Sequence, residues 1–497
     1  MKIEVTILSE PMLEFGGGVL GDNPKTILAD AGPFRADAST EKQRIKLGLV
    51  APETEVASVL AWFERMRHLI VSDESNAQRY PAFPGTDKVL QADFEIDNRS
   101  IVSLKGQSFQ IAMAQRGREQ FNALLEVYSE AICSLYGDAA PKCILVCFPE
   151  EIAALRIENH ALSYGQRQML QRLKTQEKSE QLSLFDQTPE EMRVAADLLP
   201  QAEELLERNF HRALKAKCMM EPNPVPVQVL RRQTYISAES KQSDATRAWN
   251  LSIGLYYKTD HIPWRPAELP KDVCFAGISF HHLKKRGGSL VYSSVAHAFS
   301  NELQPFILKG APIPHTQTRD KRPYLEEGQA AGIMESIIAG YESRTGSPPS
   351  RVVIHKTSRY QPEEQQGFLD AASARIPSAE LVWLTPTGFR LLRRGMQEPL
   401  RGTLCRIGSE RSFLFTTGYV PWWEEYPGPH IPAPLEIGAV DVEARAKEIL
   451  SLSKMNWNSS DGIGRLPITL SFARRVGMIM TELDEDAIPN PSYRYYM

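Results

Sequence analysis

Val273-Cys-Phe-Ala-Gly-Ile-Ser-Phe280, Ser289-Leu-Val-Tyr-Ser-Ser-Val-Ala296 and the weaker extended run Gln304 to Leu308 stand in a row in the second half of this 497-residue chain. Short apolar and β-branched runs read as strands, and the Lys284-Lys-Arg-Gly-Gly turn separates the first two. A helix over Glu326 to Arg344, a strand at Val352 to Ile354, a helix over Glu363 to Ala374 and a strand at Leu381 to Leu384 follow. The mixture is α/β.

Three strands, helix, strand, helix, strand is the order of an RNase H-like fold, although other α/β domains parse the same way. Upstream, a strand candidate at Phe109 to Met113, the amphipathic helix Glu119 to Tyr136 and the buried-type strand Cys143 to Phe148 suggest a parallel α/β core. A second amphipathic helix, Ala202 to Lys217, sets Leu205, Leu206, Phe210 and Leu214 on one stripe and stops at the Pro222 to Pro226 cluster. Extended runs follow at Val225 to Leu230 and Asn250 to Tyr257, and His261-Ile-Pro-Trp-Arg-Pro closes the unit as a linker. Gln166 to Gln187, rich in Gln, Lys and Glu, reads as a solvated helical insertion, with a docking surface as the alternative. Residues 1 to 105 mix extended runs at Lys2 to Leu8 and Arg44 to Val50 with a helix around Glu55 to Ile70, and read as a lead-in layer. The chain thus divides into 1–105, 106–268 and 269–497.

The composition is that of a folded globular protein, 42% hydrophobic and 24% charged. Its 57 Lys and Arg against 61 Asp and Glu leave a net charge of -4, so any site for a polyanion has to be local. No apolar run reaches the length of a membrane span, and the opening MKIEVTILSE lacks the order of a signal peptide, which points to the cytoplasm. The six cysteines are scattered without a Cys-x-x-Cys and read as small buried hydrophobes.

Several formal motifs lead nowhere. Gly16-x-Gly18-x-x-Gly21 is followed by Asp22-Asn-Pro24 rather than directly by a helix that would receive a pyrophosphate, so it reads as a turn. A P-loop is missing, and Gly277-Ile-Ser279-Phe-His281 lacks the closing glycine of a nucleophile elbow. His281-His282 reads as a loop pair without further metal ligands, beside Lys284, Lys285 and Arg286.

The segment His211 to Arg232 is different. Arg212, Lys215, Lys217, Arg231 and Arg232 stand against Glu221 alone. His211 and Lys215, at i and i+4, share a helical face where both heads reach one phosphate, although such a pair by itself is commonly a solvated face.

The runs Phe210-His211-x-x-x-Lys215, Val225-Pro-Val-Gln228-Val-Leu-Arg and Asn250-Leu-x-x-x-Leu-x-x-Lys258 resemble the pocket for the guide 5'-end in the MID domain of Argonaute proteins. Phe275-Ala-Gly-Ile-Ser279, Val352-Val-Ile-His-Lys-Thr357, Lys454-Met-Asn-Trp457 and Leu466-Pro-Ile-Thr-Leu-Ser-Phe-Ala-Arg474-Arg-Val-Gly resemble a PIWI domain, and Glu10-Pro-x-x-x-Phe-Gly and Ala31-Gly-Pro-Phe resemble openings of the short prokaryotic class. The resemblance implies a Rossmann-like MID domain at 106–268, an RNase H-like PIWI domain at 269–497, and an N-terminal layer packed on both. It assigns His211, Lys215, Gln228 and Lys258 to the guide 5'-phosphate and first base, with His211 where many relatives have Tyr. It also offers Met497, at the end of Tyr493-Arg-Tyr-Tyr-Met497, as a carboxylate that reaches the phosphate through Mg. A disordered tail is the alternative.

Cleavage by an RNase H-like site needs carboxylates holding two metal ions about 4 Å apart. At those positions the resemblance places Ser279, Thr357 and Arg474, and Glu326, Glu327 or Glu335 could add one carboxylate at most, so no catalytic residue is expected. The expected function is therefore recognition: a 5'-phosphorylated guide RNA pairs with invading single-stranded DNA and activates an APAZ-containing effector, an NAD hydrolase of TIR or Sir2 type or a nuclease, in a heterodimer without a membrane role that can form higher oligomers on activation. The alternatives are an autonomous metal-dependent nuclease and an assembly scaffold that binds no guide.

Overall fold

The computed structural model describes residues 2–35, 41–137, 140–158, 207–240, 242–284, 290–300, 303–314, 317–319, 322–395, 398–428, 431–484, 487–488 and 490–497. Two sheets organise them. The first half supplies β1 (Ile3–Ile7), β2 (Gln43–Pro52), α1 (Glu53–Arg65), β3 (Ala92–Leu104), α2 (Gly117–Cys133), β4 (Cys143–Phe148), α3 (Phe210–Met219), β5 (Val227–Arg231) and α4 (Asp244–Lys258). Strands β3-β2-β4-β5 form a sheet in which every neighbouring pair is parallel. A parallel sheet is covered on both faces, and β4 is accordingly apolar throughout. Cys143, Leu145 and Cys147 are buried in the cluster that includes α1 and α4. Ile144, Val146 and Phe148 are buried in the one that includes α2 and α3. This doubly covered sheet is the Rossmann-like layer, and two of its four strands come from residues before 105.

The second half supplies β6 (Val273–Lys284), β7 (Leu290–Ser300), β8 (Leu303–Pro314), α5 (Glu327–Thr345), β9 (Arg351–Lys356), α6 (Pro362–Ser373), β10 (Ser378–Pro386), β11 (Thr403–Ile407), β12 (Arg411–Leu414), β13 (Leu435–Gly438), α7 (Val442–Ser453) and α8 (Ile468–Met480). Its sheet runs β1-β11-β12-β13-β10-β9-β6-β7-β8. Strands β6, β7 and β8 pair antiparallel, while β6, β9 and β10 pair parallel, which is the RNase H-like order expected. Cys274, Ala276 and Ile278 of β6 are buried with α5 and α6. The other face of β6 meets α8, and Gly277 makes the approach possible: a Cβ there would lie 2.4 Å from the main-chain carbon of Thr469.

Some local expectations are corrected. Phe109 to Met113 belongs to the helix Gln107–Ala114, not to a strand. Asn250 to Tyr257 lies inside α4. The helix expected from Ala202 starts at Phe210, after the short strand Glu207–Asn209, because Asn209 caps it by accepting from the Arg212 amide at 3.3 Å. Leu205, Leu206, the Gln166 to Gln187 insertion and the turn after Lys284 lie outside the described residues. His281 and His282 are in β6, not in a loop. A helix does begin at Pro24 behind the glycines at 16–21, but only a two-residue strand precedes them. No helix among the described residues is long and apolar enough to cross a membrane.

Candidate functional site

A cavity of about 530 Å³ opens where α3 meets α8, lined by Arg156, Asn209, His211, Arg212, Lys215, Arg475, Met478, Ile479, Tyr496 and Met497. The fold gathers these residues for plain reasons. Phe210 and Leu214 bury against α2 and β4 and so turn His211 and Lys215 toward the cavity. Tyr493 stacks on Phe472 of α8 at 3.4 Å between ring centres, and the Tyr495 hydroxyl donates to the Pro224 carbonyl at 2.8 Å. The closing segment is thereby packed and brings Met497 to the lysines.

Lys258 is fully buried at the last turn of α4, where helix carbonyls favour a cation. Its ammonium donates to the Gln228 Oε1 at 2.7 Å and to the main-chain oxygens of Val227 and Met497 at 3.0 Å each. Lys215, 4% exposed, donates to the same Met497 oxygen. Four of the sequence-derived residues, Lys215, Gln228, Lys258 and Met497, therefore form one hydrogen-bonded group. His211 is half-buried beside it, and its Nε2 has no hydrogen-bond partner among the described residues.

Electrostatically this is a crowd of cations. Burial pushes the Lys215 ammonium well below the usual lysine range, and Lys258 and Arg475 push it further. Burial brings Lys258 down to about 8, with Arg475 adding to the shift. His211 is held well below its ordinary value by burial first, then by Lys215, Lys258, Arg231 and Arg212. No Asp or Glu is among the lining residues. Such a site favours an anion. It matches a divalent ion beside Met497 poorly, because that oxygen already accepts from two ammonium groups.

The rest of the basic segment goes elsewhere. Arg232 pairs with Glu55 and, at 2.8 Å, with Glu239, and Lys217 pairs with Glu126. Conversely, Arg475, Arg156 and Asn209 were not singled out in the sequence. Arg475 stands one residue from Arg474, and its spacing of i, i+3 and i+4 to Met478 and Ile479 was the available signal.

The second set of expected residues lies on the large sheet and on α8, which packs across it. Ile278 pairs in register with Lys356, which places Ser279, in the middle of β6, beside Thr357, the residue just past the end of β9. Ser279 shares the face of Gly277, and Arg474 is on α8, which packs across that face. On the opposite face Lys356 is buried with its ammonium 2.6 Å from the Glu364 carboxylate, which also accepts from the Leu325 and Gln361 amides. Glu326 is engaged in the capping box of α5, and Glu327 and Glu335 are exposed on α5.

No protein-family model matches the chain, and no curated protein does. Solved structures do match. Clostridium butyricum Argonaute, bound to a guide DNA and a 19-mer target DNA, superposes with a TM-score of 0.61 at 15% identity, over 99% of this chain and 55% of that one. Aquifex aeolicus Argonaute gives 0.56 at 14% identity, over 98% and 55%. Drosophila Piwi gives 0.53 at 12% identity, over 99% and 56%. The fold is Argonaute-like, a MID and PIWI arrangement, and the chain spans little more than half the length of these proteins.

Proposed function

We propose that the chain is a guide-dependent recognition protein in which the cavity holds the 5'-phosphate of a guide RNA. The observation that carries this is the lining: Arg156, Arg212, Lys215 and Arg475 with His211, and no Asp or Glu side chain among the described residues. A phosphate adds negative charge opposite these cations, of which Arg212 and Lys215 are buried, and phosphate contacts dominate nucleic-acid affinity. The guide then pairs with invading single-stranded DNA past Ser279 of β6 and the end of β9. A guide and a target strand in the Clostridium butyricum structure support that reading.

In this reading the chain does not cut. Ser279, Thr357 and Arg474 offer no carboxylate, and the Lys356 ammonium next to Thr357 has its charge met by Glu364 rather than exposing an acid. The exposed glutamates of α5 belong to a helix that covers the other face of β6. Neutralisation of the phosphate falls to Lys215, Lys258 and Arg475 rather than to Mg. Recognition has to be reported by another chain, which is the role of an APAZ-containing effector, a TIR or Sir2 NAD hydrolase or a nuclease, in a cytoplasmic antiviral system that forms a heterodimer and assembles further on activation.

The test loads the chain with a 5'-phosphorylated RNA and adds complementary or scrambled single-stranded DNA with magnesium. Retention of the complementary strand alone, uncut, is the expected result. Equal retention of both strands supports the scaffold alternative, and magnesium-dependent cleavage that is lost in Glu335→Ala supports the nuclease.

A further inference from the structure

One carboxylate touches the cation cluster without lining the cavity. Glu482 follows α8, and its side chain is 0% exposed. Its Oε2 accepts from the Arg208 Nε at 2.8 Å, its Oε1 accepts from the Asn209 amide at 3.2 Å, and the same Oε1 lies 4.0 Å from the Arg212 Nε. These three partners bracket His211 at the start of α3, and they belong to the first half of the chain, the domain of the parallel sheet, whereas Glu482 belongs to the second half, the domain of the large sheet. Arg475, Met478 and Ile479 of α8 line the same cavity, so one helix presents cavity residues and, just beyond its end, the acid that fixes the opposite wall.

A buried carboxylate persists only where its oxygens are satisfied, and here they are satisfied by the very turn that carries the anion-facing residues. We propose that Glu482 is a positioning residue for the cavity: it clamps the Arg208–Arg212 turn from the second domain and competes with an incoming phosphate for Arg212. Filling the cavity then draws Arg212 away from Glu482 and loosens the tie between α8 and α3. The 5'-end of a guide is thereby coupled to the contact between the two domains. The proposal rests on the cavity being a phosphate site, and it names the group that regulates that site.

The test has two arms. In the ligand-free full-length chain, Glu482→Ala is expected to speed amide exchange across residues 208–213, because it removes the acceptor of the Asn209 amide. Unchanged exchange there overturns the clamp, whatever the cavity binds. The second arm measures affinity for a 5'-phosphorylated RNA in Glu482→Gln, Arg212→Gln and the double variant. Glu482→Gln keeps an acceptor but removes the competing charge, so it should tighten binding roughly threefold in the Arg212 background and leave it unchanged in the Arg212→Gln background. A loss of equal size in both backgrounds, or no change in either, overturns the competition. If wild type does not distinguish 5'-phosphate from 5'-hydroxyl RNA, the proposed function fails instead, and the exchange arm still decides the clamp.

Discussion

Lys258 and Lys215 place two ammonium groups on one main-chain oxygen away from water, and the consequence is a dependence on pH. Burial favours the neutral amine, and a bound phosphate favours the charged one. Below pH about 8 Lys258, which shares the Met497 oxygen with Lys215 behind the cavity wall, is charged in the ligand-free chain; above it, the lysine has released its proton, and phosphate binding has to restore it. Affinity for 5'-phosphorylated RNA should therefore fall between pH 7 and pH 9, by up to about tenfold per pH unit for each proton taken up. Titration calorimetry in buffers of different ionisation heat should find greater proton uptake at pH 9 than at pH 7, and equal uptake would contradict the shift. The same shift makes the ligand-free chain more stable as pH rises from about 8 toward the ordinary lysine value of 10.5, because there the unfolded state binds the proton that the folded state has lost. Within this group Lys215 was legible from its i, i+4 spacing to His211, whereas Gln228, Lys258 and Met497 came only from the resemblance to the Argonaute MID pocket. Arg156 carries no local sign of the cavity it lines, and the helical spacing of Arg475 to Met478 and Ile479 marks a shared face without saying which cavity that face meets.

At the scale of elements, β6 and α8 approach closely at Gly277, where there is no room for a Cβ. Gly277→Ala puts a Cβ against the Thr469 main chain and should lower stability by about 1–3 kcal/mol, seen as a lower denaturation midpoint. An unchanged midpoint would show that α8 can give way. Because α8 also holds Arg475, the variant should weaken anion binding as well. The strands and helices from Val273 to Pro386 were readable because each is a separate run with its own punctuation. Helix α4 was not: Leu251, Ile253, Leu255 and Tyr257 alternate like a strand, yet the helix is buried nearly all round, so a polar stripe of helical period is missing. The helix at Gln107–Ala114 misled for a related reason, being too short to show its period.

For the molecule as a whole, residues before 105 are woven into both sheets rather than laid over them. Strand β1 pairs with β11, while β2 and β3 build half of the parallel sheet. Glu10 is held by Arg401 at 3.0 Å and Lys454 at 2.8 Å, and Lys25 pairs with Asp461 at 2.7 Å. Such pairings span hundreds of residues, and local pattern contains nothing of them, which is why this part read only as a lead-in. The balance of charge was more telling. A chain with a net charge of -4 cannot hold a polyanion by general attraction, so recognition has to be concentrated where cations are buried together, and the cavity between α3 and α8 is such a place. The most direct measurement is the affinity of matched 5'-phosphate and 5'-hydroxyl RNA for wild type and for Lys215→Ala/Lys258→Ala, at one stated salt concentration. The phosphate should tighten wild-type binding by at least about tenfold, and the double variant should lose that gain. Four equal affinities would contradict the account.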